Sequence, residues 1–199
     1  MFVSEPLEKP AIPAVVLTAL LLLPTAQSHS QSMMILGGNS HAEACYRSAG
    51  LAAQFSHAGR DDLDECNKAI ELGALALPDR VATYVNRGIV HAAREDYIAA
   101  VADYRRAEKM NPDSPEVAIN MGNLWFLSGH YEEAVERYAF ALENSAERHL
   151  PIAHYNRGMA LEKAGETSAA IKDYEAALTM SPEWARVQKR LDRLKTLEQ

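Results

Sequence analysis

The chain is poor in several things that would announce a function. Of its 199 residues only two are cysteine, and aromatics make up 7%. No dense Lys/Arg run appears, and the formal net charge is -7. That balance argues against a nucleic-acid partner, which demands a basic face, and mainly favours solubility. There is no Gly-rich phosphate loop, no H-E-x-x-H and no G-x-S-x-G. The histidines are scattered. His149 and His154 lie close in sequence, but their spacing suits no single helix face and no third ligand accompanies them. No enzymatic activity, cofactor, metal or small-molecule substrate is expected. What is plentiful is alanine, which with few aromatics suits close helix packing better than a sheet. The length is enough for one domain with a real core.

The N-terminal residues differ from the rest. "AIPAVVLTALLLLP", 11 to 24, carries no charge and is shorter than the roughly 20 residues of a membrane-spanning helix. Followed by "TAQSHSQS", it reads as a secretory signal over 1–28. Cleavage after Ala26 or Ser28 fits; Ser28 is preferred because Ala26 then stands three positions before the cut. The stretch before the apolar core is not basic, with Glu5 and Glu8 against Lys9. A working start near Lys9 repairs this; an uncleaved anchor, which would tie the chain to a membrane, is the alternative. The expected location is periplasmic or secreted, with 29–40 as linker. In an oxidising compartment Cys45 and Cys66 form a candidate disulfide; in the cytosol they would be unpaired buried thiols.

A repeat fills the remainder. "YVNRGIVH" at 84 to 91 returns as "AINMGNLW" at 118 and "HYNRGMAL" at 154. With Gly88, Gly122 and Gly158 at position 8, position 20 is Ala100, Ala134 and Ala170. Position 24 is Tyr104, Tyr138 and Tyr174, and position 27 is Ala107, Ala141 and Ala177. Position 17 is Tyr97 and Tyr131 but Thr167 in the last copy; position 32 is Pro112 and Pro182 but Ala146 in the middle copy.

This frame resembles the tetratricopeptide repeat, a helix–turn–helix unit of about 34 residues. The resemblance implies an all-α, right-handed α-solenoid. Repeats are expected at 81–114, 115–150 and 151–182, with a degenerate first copy at 41–80 and a capping helix at 183–199. Small residues mark the close approach of paired helices, so Gly88 should face Ala100, with Tyr104 filling the space beside them. Pro112 and Pro182 should stop second helices, and Ser114 and Ser181 should cap the next. Trp184, Val187, Leu191 and Leu194 share one face of the last segment, as a cap requires; a basic amphipathic helix on a membrane is the other use of such a pattern. Arg87 with Asp103 and Arg157 with Asp173 should pair within their repeats. In the middle copy those positions are Met121 and Arg137. The degenerate copy places Cys45 near the start of one helix and Cys66 near the end of its partner. His91 reads as a packed core residue, and "DDLDE" at 61 to 65 as a solvated helix start, with a weak calcium site as the lesser reading.

In the family, first-helix residues line a concave groove. The resemblance places Val85, Asn86 and Ile89 there, then Ile119, Asn120, Asn123 and Phe126, then Tyr155, Asn156 and Met159. Asn86, Asn120 and Asn156 would form a row. Each amide offers a donor and an acceptor, so the row can hold an extended peptide backbone from another protein while the apolar neighbours seat side chains. Alternatively each Asn bonds the adjacent repeat; the uses are not exclusive. Family members that grip a C-terminal carboxylate use Lys and Arg at positions 2, 5 and 6, which are uncharged or acidic here apart from Arg47 in the weak first copy. The expected function is a protein-binding adaptor or scaffold, with a structural or self-associating solenoid as the alternative.

Overall fold

A computed structural model describes residues 40–55, 57–72, 74–145 and 150–197. The proposed signal, most of the linker, His149 and Ala146 lie outside the described residues. Within them the chain is nine α-helices and no strand. They are α1 (Ser40–Phe55), α2 (Arg60–Leu72), α3 (Leu77–Ala93), α4 (Tyr97–Met110), α5 (Pro115–Leu127), α6 (Tyr131–Asn144), α7 (Leu150–Ala164), α8 (Thr167–Met180) and α9 (Ala185–Leu197). Successive helices pair as α1–α2, α3–α4, α5–α6 and α7–α8, and each first helix also packs on the first helix of the next pair. The architecture is an all-α tetratricopeptide-type solenoid.

Three locks recur. The first is a glycine under a tyrosine. A Cβ on Gly88 would come within 3.0 Å of three ring atoms of Tyr104, and Gly122 stands in the same relation to Tyr138. Gly158 meets Tyr174 in the same way. The nearest atoms over the glycine are those of the ring, and Ala100, Ala134 and Ala170 are fully buried. A ring lying flat on bare backbone fills more volume than two methyl-sized groups can, which is why the glycine is kept despite its helix penalty.

The second lock is ionic. Arg87 Nε donates to Asp103 Oδ2 at 2.7 Å and its Nη2 to Oδ1 at 2.8 Å. Arg157 grips Asp173 identically at 2.7 and 2.8 Å. These are the pairs expected within the repeats, two-pronged bonds to carboxylates that are 1% and 5% exposed. Breaking one would strand a buried charge, costing about 3–5 kcal/mol, where an exposed pair contributes about 0–1. The Asp103 hydrogen bonds hold the Arg87 guanidinium charged above its ordinary range. In the middle copy Arg137 turns outward to Glu108 of the preceding repeat, at 2.6 Å.

The third lock is the short turn inside the α3–α4, α5–α6 and α7–α8 pairs. Gly129 and Gly165 adopt φ of 83° and 85°. Glu95, at the same place after Gly88, holds φ of 61° without glycine's freedom.

Helix ends follow the proline and serine signals in part. Ser114 caps α5, accepting from Val117 N–H, with Pro115 beginning the helix. Ser181 does not cap: it closes α8, its N–H donating to Ala177 C=O, and α9 begins only at Ala185. The residue in Ser114's register is Trp184. α3 starts at Leu77, inside what the sequence assigned to the first copy, because Pro78 suits a helix's first turn. Val187, Leu191 and Leu194 of α9 are buried against the last repeat, with Trp184 packed beside them. Glu162 of α7 binds both Arg190 and Arg193 of that cap. Among the described residues no helix is long and apolar enough to cross a membrane.

Candidate functional site

α3, α5 and α7 lie in series, α3 against α5 and α5 against α7. Of the ten positions expected on their shared groove, the structure divides them in two. Val85, Phe126, Tyr155, Asn156 and Met159 are buried. Asn86, Ile89, Ile119, Asn120 and Asn123 are half-buried. The sockets imagined for a ligand's side chains at Val85, Phe126, Tyr155 and Met159 are thus already filled from within. The cause at the C-terminal end is Trp184, whose ring stacks on Tyr155 with centroids 4.8 Å apart. Both polar tips, Tyr155 Oη and Trp184 Nε1, are buried with no hydrogen-bond partner among the described residues.

The asparagine row splits in the same direction. Asn156, 6% exposed, donates from Nδ2 to Asn123 Oδ1 at 3.0 Å. The same oxygen accepts from Tyr138 Oη at 2.7 Å, so Asn123 ties α5, α6 and α7 together. At this junction an asparagine does hold the stack. Asn120 Nδ2 donates to the Glu116 carbonyl of its own helix at 2.8 Å, leaving its Oδ1 with no partner among the described residues. The Asn86 side-chain amide makes no hydrogen bond to any described residue. The Asn86 amide and the Asn120 Oδ1 therefore remain available on α3 and α5, beside Ile89 and Ile119. The hub role of Asn123 was not foreseen; its signal was the lone Asn at position 9, where the other clear copies carry Ile89 and Met159.

Other candidate chemistry resolves into packing. His91 is half-buried, its ring nitrogens 3.7 Å from Asp96 and 3.9 Å from Asp103, and burial lowers its pKa despite those acids. It behaves as the packed residue expected. His154 Nδ1 sits 2.8 Å from Asp173 Oδ1, completing the Arg157 pair. Asp61 and Asp62 occupy the first turn of α2, and Asp62 accepts from Gly59 N–H. Among the described residues no three His, Cys, Asp or Glu side chains gather as a metal site. Cys45 and Cys66 are joined by a disulfide. Cys45 lies in the first half of α1, but Cys66 falls mid-way along α2, not near its end.

Comparison with known proteins agrees with this geometry. Tetratricopeptide-repeat family models match residues 85–139 and 151–183. The chain belongs to the tetratricopeptide-repeat family. A thermophilic TPR protein of Thermus thermophilus is 17% identical, with a TM-score of 0.64 over 78% of this chain and 81% of its own. MamA from Desulfovibrio magneticus RS-1 is 15% identical, with a TM-score of 0.61 over 80% of this chain and 86% of its own. The second TPR domain of human RPAP3, solved with an HSP70 peptide, is 20% identical, with a TM-score of 0.55 over 60% of this chain and 98% of its own. No curated protein sequence matches the chain.

Proposed function

We propose that this TPR protein is an exported, non-catalytic adaptor that holds an extended segment of another protein on the face formed by α3 and α5. The observation that carries the reading is the division of the asparagines. Asn156 is consumed in the stack, whereas the Asn86 amide and the Asn120 Oδ1 stay unspent beside Ile89 and Ile119. A half-exposed amide next to aliphatic surface can bond a passing backbone while its neighbours receive alternate side chains. The RPAP3 domain, with its bound HSP70 peptide, is an example of this fold holding a peptide. The ligand differs from an acidic tail, since positions 2, 5 and 6 of the three clear repeats carry no cation. Export is supported by the apolar leader and by a chain whose two cysteines are both spent in one bridge, a bond that persists in oxidising compartments.

The test is selection of random twelve-residue peptides on the chain from Gln31 onward. Selected peptides are then titrated against an Asn86→Glu/Asn120→Glu version matched for helicity and melting. The expected result is a loss of about tenfold or more, roughly 1.4 kcal/mol. Equal binding to both, or no selected peptide, would assign the asparagines to the fold alone.

A further inference from the structure

In each clear repeat the tyrosine that covers the glycine stands sixteen residues after it: Gly88 and Tyr104, Gly122 and Tyr138, Gly158 and Tyr174. The same count from Gly50 reaches Cys66. No ring covers Gly50, and a Cβ there would meet nothing within 4 Å. Cys66 is instead bonded back to Cys45. The buried side chains around the bridge are mostly small, Ala49, Ala52 and Ala58, joined by Val90 of α3, with Leu63, Ile89 and Ala93 packed against them. A buried tyrosine removes several times the apolar area of an alanine, so this pair has little hydrophobic glue of its own. Its polar ties are partly exposed: His41 to Glu65 at 2.7 Å, and Arg94 reaching the Gly59 carbonyl at 2.8 Å. The disulfide stands where the other repeats have a ring on a glycine.

α1 also packs on α3, the helix that carries Asn86 and Ile89. Two residues before and one after the glycine, the registers of Asn86 and Ile89, stand Ser48 and Leu51. Ser48 is half-buried and Leu51 is 53% exposed. A large aliphatic side chain is thus left in water beside the one stretch of groove that is still open.

We propose that α1 is the N-terminal wall of the groove, with Ser48 and Leu51 contacting the bound segment, and that this wall stands only when Cys45 and Cys66 are oxidised. The inference rests on the groove reading given above. The occupant is the same extended segment, continuing from α5 across α3 to α1 with an aliphatic side chain seated between Ile89 and Leu51. Oxidation proceeds by thiol–disulfide exchange. The two thiols lose two electrons and two protons as the S–S bond forms, and a partner disulfide accepts them and leaves as a dithiol. Ligand capture is thereby tied to arrival in an oxidising compartment.

The experiment compares three full-length proteins: the native oxidised chain, a Cys45→Ala/Cys66→Ala version and a Leu51→Glu version. Amide hydrogen exchange is read by segment, and binding is read with a peptide selected for dependence on Asn86 and Asn120. Removing the bridge should abolish protection over 40–72, leave 115–180 protected, and weaken the peptide about tenfold or more. Leu51→Glu should weaken the peptide similarly with exchange unchanged. Retained protection over 40–72 without the bridge would overturn the redox requirement. Protection lost along the whole chain would overturn the local wall. Native affinity in the Leu51→Glu protein would remove α1 from the groove while leaving the groove itself in place. Failure of the groove reading is distinct: no peptide would then depend on Asn86 and Asn120, and α1 would fall with it.

Discussion

The first helix pair, α1–α2, and the last, α7–α8, follow one frame and are closed by different chemistry. In α7–α8, Tyr174 lies on Gly158, and Asp173 is buried between Arg157 and His154. In α1–α2 the tyrosine position holds Cys66, the glycine is bare, and the acid in the register of Asp173 is Glu65, 31% exposed and paired with His41 and Lys68. An acid can be buried with two hydrogen bonds only where surrounding bulk excludes water, and the ring supplies that bulk. Without the ring the ion pairs of Glu65 lie partly in solvent and are weaker, and a covalent bond stands where packing would have contributed.

This comparison predicts its own largest effect. A Cys45→Ala/Cys66→Ala version, or the reduced chain, should lose about 3 kcal/mol of stability in the loop-entropy account, for a bridge spanning 21 residues. The loss should be confined to the first pair. Chemical denaturation followed segment by segment checks it: an early transition in α1–α2 is expected, with the midpoint of α5–α9 unmoved. A single transition shifted as a whole would mean that the two ends are energetically one body.

The second effect sits in the clear repeats. Gly88→Ala should cost about 1–3 kcal/mol, since the new methyl group overlaps the Tyr104 ring and that ring is 2% exposed with no room to withdraw. Urea denaturation measures it. An unchanged midpoint would mean that the ring slides freely, and that the glycine is kept for another reason.

How much of this was legible beforehand follows from the same physics. The repeat frame and the Arg–Asp pairs recur at fixed spacing, the apolar face of α9 has helical period, and Ser114 before Pro115 is a local cap signal; such patterns are what a sequence displays directly. The groove was harder to read. A register states which way a residue points in an ideal array, but not whether a neighbour has already filled the space. Tyr155 and Met159 were closed by α9 and Trp184, a local ending that no internal repeat could announce. Asn156 was spent on Asn123 because position 9 is an amide in that one copy. What lies nearest Gly88 was hard to read for a related reason. Spacing identifies small residues that permit close approach, but the size of the gap decides whether a methyl or a ring enters it. Ser181 failed as a cap because three further residues separate it from α9.

The smallest effect is the sharpest discriminator between the two regions, because it reverses sign. Gly50 lies inside α1, exposed, with nothing within 4 Å of where a Cβ would stand. Glycine in a helix interior costs roughly 0.5–1 kcal/mol relative to alanine, through the backbone freedom it retains when unfolded. Gly50→Ala should therefore stabilise the first pair by about that amount, where the same change at Gly88 destabilises its own. Exchange protection over α1 is the measurement, since a local gain would be diluted in a global melt. If Gly50→Ala is instead destabilising, something must press on that glycine as Tyr104 presses on Gly88. The N-terminal pair would then be locked like the others, with the disulfide added to a packed interface rather than standing in for one.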